Sequence, residues 1–195
     1  MRHKFLKTAL HNKSLIKSFF ADKILVKKVK KGNKEAFGSL YKRHLDSIYR
    51  YVFFRVRKDQ KVAEDITQSV FFRALEKIDT FDEEGVGFRP WIYKIAHNSV
   101  IDYYRKYKNQ TGLTETLIDE SQNVEEKTLK DFEVQNVLNA LDLLSDEQRQ
   151  VIIMRFVSGL SGKETAKALG KNEEAIRSMQ YRALKTLRKI LNNNE

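Results

Sequence analysis

The sequence has no cysteine, a single proline (Pro90) and only 8 glycines in 195 residues. Without cysteine there are no disulfides, thiolate zinc sites or cysteine nucleophiles. So little proline and glycine leaves long helices almost unpunctuated. Also missing is any apolar run near the ~20 residues that cross a bilayer, so stable membrane insertion is not expected. Met1-Arg2-His3-Lys4 looks like the start of a signal peptide, but Lys7, His11, Lys13 and Lys17 interrupt the stretch where its apolar core would lie. The expected compartment is the cytoplasm. Positive charge is abundant instead: 37 Lys+Arg against 26 Asp+Glu leave +11. That surplus calls for an anionic partner, either nucleic acid or a membrane surface. With 41% hydrophobic residues the chain can still bury a core.

Hydrophobic spacing is helical nearly throughout, and no alternating strand pattern competes with it. Lys23 to Lys31 predicts a short helix ended by Gly32. Asn33 caps a second, with Phe37, Leu40, Tyr41, Leu45, Ile48, Val52 and Val56 at steps of three and four. A third begins after Asp59 with Val62, Ile66, Val70 and Ala74 inward. Acids and glycines from Asp79 to Gly87 break the pattern, and Pro90 then fits the first turn of a fourth helix. Residues 109–131 are acidic and aperiodic and read as a flexible linker. Beyond it, capping boxes at Ser145-Asp146-Glu147-Gln148 and Ser161-Gly162-Lys163-Glu164 fix two more helix starts. Gly159 and Gly170 supply stops. Helices are expected near 132–142, 146–157, 162–168 and 173–191. The expected fold is all-α: a four-helix N-terminal unit and a C-terminal helix-turn-helix domain joined by the acidic linker. The boundaries are 1–21 for a basic extension, 22–108, 109–131 and 132–192.

Three constellations could carry function. The first is the short capped helix, tight turn and long basic helix of residues 161–191, a helix-turn-helix pattern. On its last helix Ala175, Ile176, Met179, Ala183, Leu187 and Ile190 point inward. Glu174, Arg177, Ser178, Tyr181, Arg182 and Lys185 share the other face, where such groups bond phosphates and base edges. The second runs from Gly87 to Lys106, where aromatics interleave with bases and amides, as suits single-stranded DNA. Core packing is the better reading of Trp91. Arg89, Lys94, Asn98 and Arg105 fall off the apolar stripe and are the better ligand candidates. The third is Asp65, Gln68 and Phe72, three to four residues apart on one side of a helix. It reads equally as a protein interface or as a solvated face with one Phe tucked under a neighbour.

Enzymatic chemistry finds little support. His3, His11, His44 and His97 are scattered, with no pair spaced for a metal. Gly85-Val86-Gly87 lacks the strand and third glycine of a phosphate cradle, and no strained nucleophile turn is present. Neither a cofactor nor a small-molecule substrate is expected.

Ala63-Glu64-Asp65-Ile66-Thr67-Gln68-Ser69-Val70-Phe71-Phe72-Arg73-Ala74-Leu75 resembles the polymerase-binding segment of bacterial sigma factors. Phe88 to Arg105 is similar to their minus-ten-reading region, and Leu144 to Leu191 to their minus-thirty-five-reading domain. With only a linker between these halves, the resemblance points to the extracytoplasmic-function group. It implies core RNA polymerase and promoter DNA as partners, with an anti-sigma factor as a further candidate. Asp65 and Gln68, with Phe72 beside them, would meet the polymerase clamp. The loop 81–87 with Arg89, Lys94, His97, Asn98 and Arg105 would melt and read the minus-ten strand. Arg177, Ser178, Tyr181, Arg182 and Lys185 would read the minus-thirty-five element. The basic residues 1–20 extend beyond the family's usual start. Two rival readings remain: a stand-alone helix-turn-helix regulator with a sensing or dimerising N-terminal half, and a peripheral membrane protein held by its basic N-terminus.

Overall fold

The computed structural model describes residues 19–82, 85, 87–111 and 139–192. Among these there is no strand. The described part of α1 covers 19–30 and ends at Gly32, whose φ of 86° is in the left-handed region that glycine reaches without strain. It is held to α2 (Lys34–Arg55) by the buried Asp22 carboxylate, which lies 2.9 Å from His44 Nε2 and 3.2 Å from Arg43 Nη1. The side chain of Asn33 caps α2 by accepting from the Ala36 amide at 2.8 Å. Asp59 caps α3 (Gln60–Glu76) in the same way through the Val62 amide. A short 3-10 turn (Ile78–Thr80) comes next, and α4 (Phe88–Thr111) starts just after Gly87. The helix thus runs through the first three residues of the expected linker; the rest of that linker lies outside the described residues.

In the C-terminal half α5 is described over 139–142, so most of the helix expected from 132 lies outside the described residues. The Ser145 capping box opens α6 (Asp146–Ile152) and the Ser161 box opens α7 (Gly162–Leu169). Gly170, at φ 63°, turns the chain into α8 (Glu173–Asn192), where Asn172 accepts from the Ala175 amide at 2.7 Å. The expected helix 146–157 is not uniform: after Ile152 it widens into a π turn, Ile153–Val157. There Arg155 Nε donates to Gln180 Oε1 at 2.8 Å, and its guanidinium also reaches the Leu160 carbonyl.

Val26, Leu40, Ile48, Val52, Val70 and Ile92 form the dry centre of the N-terminal bundle. Burial of each such side chain contributes about 1.5–3 kcal/mol. This cluster continues into Ile153, Met154, Leu160 and Ala168 of the C-terminal half, so the two helical groups pack on each other. Two smaller clusters complete the helix-turn-helix: Ile152 with Ala183 and Leu187, and Val151 with Ala166, Ile176 and Met179.

Candidate polymerase and nucleic-acid interfaces

Helix α3 buries Ala63, Ile66, Val70, Phe71 and Ala74 and turns Asp65 and Gln68 to solvent. Spacing alone leaves the Phe between two fates, and the structure separates two neighbours. Phe71 is tucked in against Tyr41, ring centroids 4.7 Å apart, whereas Phe72 is 64% exposed. Leu75, which periodicity gives no reason to single out, is exposed as well. A carboxylate, an amide and two large apolar groups therefore stand together on an unpartnered face. Solvated faces rarely carry so much apolar surface; interfaces do.

Helix α4 sorts its candidates into two groups. At 100° per residue Lys94, Asn98 and Arg105 fall within about 40° of one another, and all are exposed. Exposed Ile101 lies in the same stripe, an apolar group amid bases that periodicity gave no reason to flag. Arg105 also donates to Asp102 at 3.0 Å. Trp91 packs edge-on against Phe81, centroids 5.2 Å apart, which accords with a core role. Arg89 and His97 face elsewhere, towards the C-terminal half. Arg89 donates to the Ser158 carbonyl at 2.6 Å and lies 3.4 Å from Glu164. His97 Nδ1 is buried without a hydrogen-bond partner. Burial foremost, with the Arg55 charge next, lowers the imidazole's pKa to about 4.

The contact between the halves centres on an ion pair that sequence reasoning missed. Arg55, 1% exposed, donates to both Asp146 carboxylate oxygens at 2.6 and 3.0 Å. Its backbone carbonyl accepts from the Tyr104 hydroxyl at 2.9 Å. Burial alone would lower the Arg55 pKa, but the neighbouring Tyr51 phenol and Asp146 carboxylate hold it above its ordinary value. Burial pushes the Tyr51 phenol up to about 12. For Asp146 burial works upward, and the Arg55 hydrogen bonds and charge overcome it, leaving the carboxyl below its ordinary value. Arg149 sits beside this pair and bonds Asp142 at 3.3 Å.

On α8 the inward set is Ile176, Met179, Ala183 and Leu187, while Arg177, Ser178, Tyr181, Arg182 and Lys185 are all exposed. Tyr181 is 69% exposed, which no packing requirement explains. Arg188 extends the same face one turn further and was not singled out from the sequence. Rigid caps at both ends of the α7–α8 turn present this basic face as one surface, the geometry by which a recognition helix enters a major groove.

Comparison with known proteins agrees with this geometry. Sigma-70 region 2 matches residues 40–110, and Sigma-70 region 4 matches residues 135–187. The extracytoplasmic-function (ECF) RNA polymerase sigma factor SigX of Bacillus subtilis is 34% identical over 164 residues, covering 80% of this chain and 84% of the relative. The chain belongs to the extracytoplasmic-function sigma factors. The sigma factor BldN of Streptomyces coelicolor is 36% identical over 171 residues, or 86% of this chain; the match spans 64% of BldN's own length. Among solved structures, CnrH in complex with the cytosolic domain of CnrY superposes with a TM-score of 0.69 at 26% identity, over 90% of this chain and 99% of that one. This sigma factor therefore serves to direct RNA polymerase to promoters, and the stand-alone regulator is set aside.

Proposed function

We propose that this sigma factor divides its work among three exposed faces. Asp65, Gln68 and Phe72 on α3, with Leu75, hold the core polymerase clamp. Lys94, Asn98 and Arg105 on α4, joined by Arg89, His97 and the loop 81–87, bind the melted minus-ten strand. Arg177, Ser178, Tyr181, Arg182 and Lys185 on α8 read the minus-thirty-five element. Residues 22–108 and 132–192 are the two working domains, 109–131 connects them, and 1–21 is an extension. The observation that carries this reading is the exposure of Phe72 beside Asp65 and Gln68 on a helix whose other face is fully buried. Nucleotide joining belongs to the polymerase, and this chain contributes no chemical step of its own. Its place is the cytoplasm, where the enzyme works; no described helix is long and apolar enough to cross a membrane.

Because Arg89 and His97 lie against the C-terminal half, engagement of the minus-ten strand requires that half to leave α4. The closed arrangement is thus a resting form. An anti-sigma factor is a fitting further partner, since CnrH is a relative captured with the cytosolic domain of CnrY. The test of the polymerase face is Asp65→Lys. A reversed charge at a desolvated interface costs a few kcal/mol of binding, so co-elution with core polymerase should fall at least ~30-fold with helicity unchanged. Wild-type co-elution by a folded variant would reduce Asp65 to a solvated acid.

A further inference from the structure

Three ion pairs between the halves of the molecule point the same way. Lys58 Nζ lies 3.4 Å from Asp142, Arg55 donates to both Asp146 oxygens, and Arg89 lies 3.4 Å from Glu164. In each pair the cation belongs to the N-terminal bundle and the carboxylate to the C-terminal half. The cations share one edge, because the Tyr104 hydroxyl bonds the Arg55 carbonyl and fixes the end of α2 against α4. On α4 itself Arg89, His97 and Tyr104 fall within about 80° of one another and span about 22 Å. This stripe borders the open one that carries Lys94, Asn98 and Arg105.

As a join between domains this edge is poorly satisfied. Arg55 is buried, yet its Nε has no hydrogen-bond partner, and neither has His97 Nδ1 or the Ser158 hydroxyl. The C-terminal half covers these polar atoms without pairing them, as a surface does when it serves another occupant. Arg57 and Lys58 follow α2 at φ 56° and 68°, where glycine or asparagine is at ease. Two basic side chains stand there instead, and a gain from their charge must offset the backbone strain. A carboxylate meets an Arg fork as a DNA phosphate does, two oxygens against two N–H groups. We propose that Arg55 and Lys58 join Arg89 in binding phosphates of the duplex next to the minus-ten element, and that Asp142, Asp146 and Glu164 occupy those places in the free chain. The inference rests on assigning α4 to that element. Base pairs succeed one another at about 3.4 Å, so a 22 Å stripe faces about six steps of duplex. DNA is favoured over an acidic protein surface because the covered stripe runs into the proposed DNA-binding stripe of the same helix.

The test uses the fact that losing either partner breaks the same pair. Lys58→Asn removes a cation and suits the left-handed backbone there. Asp142→Asn with Asp146→Asn removes two carboxylates and leaves the cations in place. Each full-length protein is measured free and assembled with core polymerase, on a promoter fragment selected from random DNA by the wild-type holoenzyme. With polymerase, Lys58→Asn should make the slope of log affinity against log salt shallower by about 0.9 and weaken binding ~10-fold near ~50 mM salt. Lys58→Arg should keep the wild-type slope. The carboxylate variant should keep that slope with polymerase and bind the fragment at least ~5-fold tighter without it, since the open form is more populated. Lys58→Asn should show no such gain. Cation and carboxylate variants that behave alike would reduce the pairs to a join between domains and overturn the proposal. A wild-type slope for the Lys58→Asn holoenzyme would overturn it as well. Weaker association of Lys58→Asn with core polymerase would overturn it in favour of an acidic polymerase surface. Lys94→Gln, measured in parallel, reports on α4 itself and should also flatten the slope. Wild-type slopes for both Lys94→Gln and Lys58→Asn would strike the assignment of α4 and the inference together.

Discussion

His97 lies where the two halves meet, facing the charges of Arg55, Asp146 and Lys171, with its Nδ1 buried and unpartnered. Burial and the two cations favour the neutral ring, and Asp146 only partly opposes them. The folded-state pKa of about 4 lies below the ordinary 6.5. An unfolded chain thus takes up a proton below about pH 6.5 that the folded chain refuses until about pH 4. Stability therefore falls as pH drops through that window. A His97→Gln variant should lose this component. Thermal melts of both proteins between about pH 7 and 4.5 check the claim: the wild-type melting temperature should decline more steeply. Parallel curves would show that His97 titrates freely. On α8, Arg177 and Arg182 stand exposed. A bidentate Arg–guanine contact is worth about 1–3 kcal/mol of discrimination. Holoenzymes carrying Arg177→Ala or Arg182→Ala should each lose preference at one upstream base pair. A uniform loss across sequences, with a salt slope shallower by about one, would assign that Arg to phosphate instead.

At the scale of helices and turns, local chemistry was legible in the sequence and distant pairing was not. Asn33, Asp59, Ser145 and Ser161 announce helix starts because each cap bonds an amide within three residues, and all four do so in the structure. The outward face of α8 was readable for a similar reason, since its inward stripe repeats without a break. The π turn after Ile152 was hidden because its partner, Gln180, lies 25 residues away. Spacing put Phe72 on the side of Asp65 and Gln68 but could not say whether a neighbour covers it; in the structure it stays open, while Phe71 packs against Tyr41 on another helix. Arg55 and Asp146, 91 residues apart, each look like an ordinary helix-end charge. The α1–α4 junction offers a test at this scale. Gly87→Ala places a side chain at φ 76° and drives it into Phe19. The backbone strain alone costs about 1–2 kcal/mol. Adding Phe19→Ala relieves the clash and leaves the strain. Denaturant melts should find the double variant less destabilised than the sum of the two singles. Strict additivity would mean that Phe19 does not rest on Gly87.

For the whole molecule the decisive feature is that the two halves share one hydrophobic cluster and one buried cation. Asp146→Ala would leave Arg55 without either carboxylate bond. Asp146 is itself 58% exposed, so water relieves part of the penalty. A loss of about 1–3 kcal/mol from the domain contact is expected. The chain has no native cysteine, so Lys61→Cys with Lys189→Cys gives a clean pair of dye sites. Energy transfer between them should drop in the Asp146→Ala background while helicity stays constant. Unchanged transfer would mean that the apolar cluster and the Arg89 contacts hold the halves together without this pair.

If the proposed faces on α4 and α8 both read DNA, the closed arrangement also explains why the protein should be quiet by itself. On the proposed assignment, covering Arg89 and His97 leaves the minus-ten surface incomplete, so the face of α8 is the one fully presented. Specific complexes typically exceed non-specific binding by about 10³-fold or more, and each base pair read contributes about 1–3 kcal/mol, so engaging one element gives up the discrimination of the other. Affinity for a promoter fragment and for a scrambled duplex, each measured with and without core polymerase at two salt concentrations, tests this most directly. The account predicts weak, strongly salt-dependent and nearly indiscriminate binding by the free chain, and promoter preference of about 10³-fold or more once polymerase is present. Tight, promoter-specific duplex binding by the free chain would contradict it.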